Sequence, residues 1–167
     1  VRERGRRDQF SWQHLALIRG LWPGRLVVKG LLSAEDAHIA SHSGVDGVIV
    51  SNHGGRQLDH AIAPLHALPG VVARAGKMTV MMDSGIRRGT DVLKALALGA
   101  QFVFVGRPFL FANAVAGEAG VRHVVKLLRE EIDRDQALLG ITALEALGPQ
   151  FMYTSGRAAP ATLQGAG

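Results

Sequence analysis

The chain has 167 residues, 47% of them hydrophobic and 20% charged, and no cysteine. A chain of this size and balance buries one ordinary globular core, and without cysteine it has no disulfides, thiolate chemistry or cysteine-based metal sites, which fits a reducing cytoplasm. No run approaches the ~20 apolar residues of a membrane span and no signal-peptide pattern opens the chain, while the net charge of +5 is dispersed, with 5% aromatic residues and no stacking motif, so nucleic acid is not an expected partner.

Residues 1–10 carry Arg2, Arg4, Arg6 and Arg7 with little apolar content and read as a solvated basic lead-in. From Phe10 to Trp22, Leu15, Leu17, Ile18 and Leu21 mark a helix that Trp22-Pro23-Gly24 stops. Leu26-Val27-Val28 is a short apolar strand ending in Lys29-Gly30. Ser33, with Asp36 three residues on, caps a helix that runs to about His42 and is closed by Gly44. Val45 to Val50 is the next strand, and Pro64 to Ala75 contains a helix. Met78 to Met82 is a third strand; Thr90 or Gly89 then caps a helix from Asp91 to Leu98, ended by Gly99. Phe102 to Val105 is a fourth strand, followed by Gly106-Arg107-Pro108. A long helix from about Gly120 to Leu139 follows, with Val124, Val125, Leu127, Leu128 and Ile132 on its apolar face. A short helix covers Ala143 to Leu147, and residues 158–167 read as a flexible tail. Trp12, Trp22 and Phe102 are expected to be core or helix-packing residues.

Short, uniformly apolar strands alternating with helices are the pattern of repeated βαβ units in an α/β fold. Such units close into a barrel or open into a doubly wound sheet. The barrel is favoured because Lys29, His53, Arg56, Asp83, Arg87 and Arg107 all sit just after a strand's carboxyl end, and in a barrel those ends form one rim. A complete (β/α)8 barrel needs roughly 250 residues, so the chain, which opens on Val1, is expected to be the carboxyl-terminal half of one, with four βα units in a single domain.

Two stretches suit a phosphate. Asp83-Ser84-Gly85-Ile86-Arg87 and Gly106-Arg107 follow the third and fourth strands, where glycines let backbone N–H groups approach oxygens and arginine supplies a charged fork. In the loop after Val50, His53 is a candidate base, since imidazole as a side-chain type can accept a proton at neutral pH. Arg56, three residues on, offers a clamp for a carboxylate. There is no Gly-x-Gly-x-x-Gly, no Walker loop and no Gly-x-Ser-x-Gly. His38 and His42 lie four apart but lack a third ligand nearby, so no metal site is read there.

The nonapeptide Ser51-Asn52-His53-Gly54-Gly55-Arg56-Gln57-Leu58-Asp59 resembles the signature of the FMN-dependent 2-hydroxy-acid dehydrogenases and oxidases, the group of glycolate oxidase, L-lactate dehydrogenase and mandelate dehydrogenase. The resemblance runs from about Ser11 to Leu139 and includes Val28-Lys29-Gly30-Leu31 and the Asp83-Ser84-Gly85-Ile86-Arg87 segment. It implies FMN as cofactor, oxidation of a small L-2-hydroxy acid to the 2-keto acid, His53 as base and Arg56 on the substrate carboxylate. It further implies Lys29 and Ser51 at the flavin ring, Asp83, Ser84, Gly85, Ile86 and Arg87 on the ribityl chain and phosphate, and Gly106 with Arg107 as a second phosphate contact. Many members have glycine where this chain has Ser84. Asp59 does not match the carboxylate that orients the histidine, which the family's amino-terminal half supplies. Complete members suggest a homo-oligomer, and some are membrane-associated, so a cytoplasmic protein with at most a peripheral contact to the inner membrane is expected. The alternatives are a non-catalytic half-barrel, or another FMN barrel such as type 2 isopentenyl-diphosphate isomerase.

Overall fold

The computed structural model describes residues 10–153, so residues 1–9 of the expected lead-in and the expected tail lie outside the described residues. The elements are α1 (Trp12–Leu21), β1 (Val27–Leu31), α2 (Ala34–His42), β2 (Gly47–Val50), α3 (Pro64–Arg74), β3 (Thr79–Met82), α4 (Gly89–Ala97), β4 (Phe102–Val103) and α5 (Arg107–Leu138). All strand pairs are parallel and the sheet order is the chain order, β1-β2-β3-β4. A doubly wound sheet reverses direction partway across, whereas a barrel adds each strand beyond the last. The architecture is therefore the expected α/β one with barrel-type strand order. Among the described residues β1 and β4 each have one sheet neighbour.

Strand residues alternate between two faces. Val48, Val50, Val80 and Met82 are buried against Ala37 and Ala40 of α2 and Leu68 and Val71 of α3. On the opposite face Ile49 and Met81 are half-buried and Val27 is exposed. The alternation is interrupted once, in β1. Lys29 pairs with Ile49 and Leu31 with Val50, leaving Gly30 as an extra residue. Gly30 has φ +102°, a conformation open to glycine that produces a bulge.

At the amino ends of the strands, Asp46 ties three elements together. It accepts hydrogen bonds from the Leu26 amide at 2.8 Å, Arg25 at 3.0 Å and Arg19 of α1 at 3.3 Å. The Leu26 bond first, and then the two arginines, hold its pKa below the ordinary aspartate value. Ser33 caps α2 as expected, accepting from the Glu35 and Asp36 amides.

Several elements depart from the sequence-based expectations. β1 extends through Lys29 and Gly30 to Leu31, and β4 shrinks to Phe102–Val103. The last long helix begins at Arg107 rather than Gly120, because a proline in a first turn has no N–H to lose. It is broken at Ala116 and Gly117, where φ reaches −146° and +53°. The expected helix at Ala143 to Leu147 is one 3-10 turn, Leu144–Ala146, with a second at Pro149–Phe151. Trp12 packs against the core, but Trp22 and Phe102 are 55% and 54% exposed. Trp22 instead covers the turn, its indole N–H donating to the Arg25 carbonyl at 3.0 Å. Phe102 lies on β4 at the end of the strand order, with Phe104 as its one aromatic neighbour among the described residues, 4.9 Å away between ring centroids. On α1 only Leu15 is buried, and Val125 and Leu127 of α5 are exposed.

The break lets the two parts of α5 cross closely. A Cβ added at Gly120 would stand 2.0 Å from the Ala112 carbonyl oxygen. Gly89, at the start of α4, is also tight, since an added Cβ would stand 2.6 Å from the Glu131 Cβ, and Glu131 accepts from both the Gly89 amide and Arg88. The Gly120→Ala protein is expected to lose roughly 1–3 kcal/mol, the usual cost of overpacking. The measurement is the urea midpoint, which should fall at constant slope; a wild-type midpoint would show that the crossing yields freely.

Candidate active site

The loop after β2 begins with Ser51, whose hydroxyl is the one buried polar side chain among the described residues. It accepts from the His53 amide at 3.1 Å and from Lys29 Nζ at 2.8 Å. His53, Gly54 and Gly55 then take φ values of +56°, +70° and +72°. Two glycines meet this left-handed path at no steric cost, while His53 is strained. Asn52 fixes the loop, its side-chain oxygen accepting from the Gly54 and Gly55 amides at 3.0 and 3.2 Å. The His53 ring comes out beside the β1 bulge, where a Cβ on Gly30 would meet its Cε1 at 3.0 Å.

Asp83 follows β3 and forms a 2.7 Å ion pair with Lys29, two strands away. Burial pushes its pKa up, but hydrogen bonds from Lys29, Ser51 and Ser84, with the charge on Lys29, outweigh this and leave it below the ordinary aspartate value. Ser84 and Gly85 continue at φ +72° and +81°.

Beyond this pair the cleft is a cradle for an anion. The amides of Gly85, Ile86, Gly106 and Arg107 have no acceptor among the described residues. A Cβ on Gly85 or Gly106 would meet nothing within 4 Å. The second pair of amides opens α5, so the helix dipole adds to the attraction. Arg56, Arg87 and Arg107 are exposed around it. A phosphate monoester fits these donors, and FMN carries one.

Lys29, His53, Gly54, Arg56, Asp83, Ser84, Gly85, Ile86, Arg87, Gly106 and Arg107 all line one cleft of about 510 Å³, and Ser51 lies buried beneath it. Arg107, expected to serve a phosphate, also donates to the Gly54 carbonyl at 2.6 Å. Ile86 is buried, so its backbone rather than its side chain is offered. Asp59 is exposed beside His60, 3.5 Å away. Sequence reasoning missed Gln57 and the apolar wall of Phe104, Val105 and Leu110. It also missed Asn52, although an Asx residue before two glycines is a turn signal.

Strand order and the placing of the loops on one rim define a (β/α)-barrel type of protein. The sequence model of the FMN-dependent dehydrogenases matches residues 1–154. The chain is 51% identical over 147 residues to the (S)-mandelate dehydrogenase of Pseudomonas putida, covering 88% of this chain and 37% of that protein. It is 50% identical over 146 residues to glycolate oxidase 1 of Oryza sativa subsp. indica, covering 87% and 40%. The crystal structure of a soluble mutant of the membrane-associated Pseudomonas putida (S)-mandelate dehydrogenase superposes with a TM-score of 0.82 at 51% identity, over 86% of this chain and 41% of that one. The chain belongs to the FMN-dependent dehydrogenase family and spans about 40% of the length of these relatives. No helix among the described residues is long and apolar enough to cross a membrane.

Lys29→Met should remove the ion pair while leaving the burial of Asp83. Its carboxyl resonance, followed by 13C NMR, is expected to titrate at higher pH than in the wild type. Because the folded-state value is lowered, the pair stabilises the protein above the unfolded pKa and that increment disappears as pH falls through the folded one. The wild type should show this extra loss in acid and the variant should not; identical titrations would remove Lys29 as the cause.

Proposed function

We propose that residues 1–167 form the carboxyl-terminal part of one FMN hydroxy-acid dehydrogenase domain, which oxidises an L-2-hydroxy acid of the lactate, glycolate or mandelate type to its 2-keto acid. The observation that carries this reading is the convergence of His53 and Arg56 with the anion cradle on one cleft. FMN, when bound, supplies the two-electron acceptor. Asp83, Ser84, Gly85, Ile86 and Arg87, with Gly106 and Arg107, hold its ribityl chain and phosphate. Lys29, held by Ser51, would supply a positive charge to the bound flavin, which would favour its reduction.

His53 takes the substrate's hydroxyl proton on a ring nitrogen. Arg56 clamps the carboxylate with two parallel N–H bonds and so sets the substrate's orientation. Family membership supports the reaction class. The relatives' names support a hydroxy acid as substrate, since one is a mandelate dehydrogenase and another a glycolate oxidase.

A second reading is a half-site that binds flavin without turnover. It is favoured by the single sheet neighbour of β1 and of β4 and by the share of the relatives that the chain spans. Anaerobic FMN titration of the chain, followed by L-lactate or (S)-mandelate, separates the two. Saturable binding with bleaching is expected under the first reading, binding without bleaching under the second, and no binding by the folded chain would refute both. His53→Asn should bind FMN normally but bleach roughly 10²- to 10⁴-fold more slowly.

A peripheral membrane contact belongs to the same reading. It is supported by Arg2, Arg4, Arg6 and Arg7 in the sequence and by exposed Phe10, Leu17, Leu21 and Trp22 on and beside α1. Sedimentation with anionic but not neutral vesicles is the expected result; equal recovery in both supernatants would dismiss it.

A further inference from the structure

Ser84 stands in the loop of the anion cradle, and its hydroxyl is engaged by the protein itself. Its hydroxyl donates to Asp83 Oδ1 at 2.8 Å, and its oxygen accepts from the Gly54 amide at 2.9 Å. The same oxygen is 3.5 Å from the Ser51 hydroxyl. A serine hydroxyl has one proton to give, so with that proton on Asp83 its lone pairs are free for the loop after β2. Gly54 directly follows His53. Its amide is otherwise held only by Asn52 of the same loop, and its carbonyl by Arg107. Among the described residues Ser84 is therefore the one that fixes this amide from another strand end.

The position is costly for serine. Its φ of +72° lies in the left-handed region, where glycine is unstrained and a residue with a Cβ is not. Strain of this kind persists where surrounding bonds over-determine the conformation. Here those bonds are the ones to Asp83 and Gly54, which run from the anion cradle to the base-bearing loop.

We propose that Ser84 is a positioning residue for His53: its hydroxyl locks the His53–Gly54 peptide to the Asp83–Arg87 loop, so that the cradle and the base move as one body. This rests on the role given to His53 above. The lock acts through the backbone amide of Gly54; Ser84 itself need not touch the substrate.

The test uses the full chain and two variants with opposite effects on strain. Ser84→Gly removes the hydroxyl and relieves the backbone; Ser84→Ala removes the hydroxyl and keeps the Cβ. Thermal unfolding should therefore place Ser84→Gly above Ser84→Ala. Amide hydrogen exchange by NMR should nevertheless show Gly54 exchanging at least tenfold faster in both, while the core Val80 amide, bonded to the Gln101 side chain at 2.9 Å, changes only as far as global stability does. The His53 Cε1–H resonance should shift or broaden in both. A residue with a merely structural role would instead alter Gly54 exchange in step with global stability. Wild-type exchange at Gly54 in both variants, or exchange that follows the melting temperature, would overturn the proposal. FMN titration of the same samples reads the functional assignment separately: wild-type protein that binds no FMN would refute that assignment, while the exchange rates still decide the lock.

Discussion

The ion pair between Lys29 and Asp83 spans the sheet from β1 to the end of β3, and the rim of the site is built across it. Between them lies β2, whose Ser51 hydroxyl fills the gap and accepts from the lysine. Three strand ends are thus joined by hydrogen bonds that burial makes costly to leave unmade. Both charges remain partly exposed, so solvent screens their attraction and the pair adds little to overall stability. Its larger effect is on local charge. With Lys29 and Asp83 neutralising one another, Arg56, Arg87 and Arg107 leave the cleft strongly positive, which suits a ligand carrying a phosphate and a substrate carrying a carboxylate.

The two ends of the sheet divide the work. At the amino end, Asp46 gathers Arg19, Arg25 and the Leu26 amide into a fixed corner. At the carboxyl end the loops hold left-handed residues, unbonded amides and exposed cations. The ion-paired corner lies at one end and the candidate site at the other, the arrangement that barrel architecture generally shows. The tight contact of Gly89 with Glu131 adds to the scaffold. Arg88 first, and then the Gly89 amide, keep that carboxyl ionised below the ordinary glutamate range.

Much of this was legible in the sequence because the signals are local. Ser33 and Gly44 bound α2, and Val48 and Val50 declare a buried strand through their own side chains. The strand-end residues were legible for the same reason, since position after an apolar run decides which rim they occupy. What was hidden depends on distant partners. Nothing near Phe102 announces that its strand is outermost, and Trp22 looks like core until its indole finds a loop carbonyl. The start of α5 was masked because Pro108 reads as punctuation unless its place in a first turn is known. The bonds of Ser84 to Gly54 and of Arg107 to Gly54 join positions thirty and fifty-three residues apart, and no periodicity encodes such a meeting.

The bulge at Gly30 acts on β1 as a change of reading frame. Two residues apart on an unbroken strand, side chains share a side; Lys29 and Leu31 do not, for Leu31 is paired with Val50 and sits in the core while Lys29 reaches the rim. The cationic and the greasy requirement are met within three residues by parity alone. Composition can therefore drift along β1 without exchanging the two faces, whereas gaining or losing one residue there would invert the assignment. Length, more than side-chain identity, sets the two faces at this point in the chain.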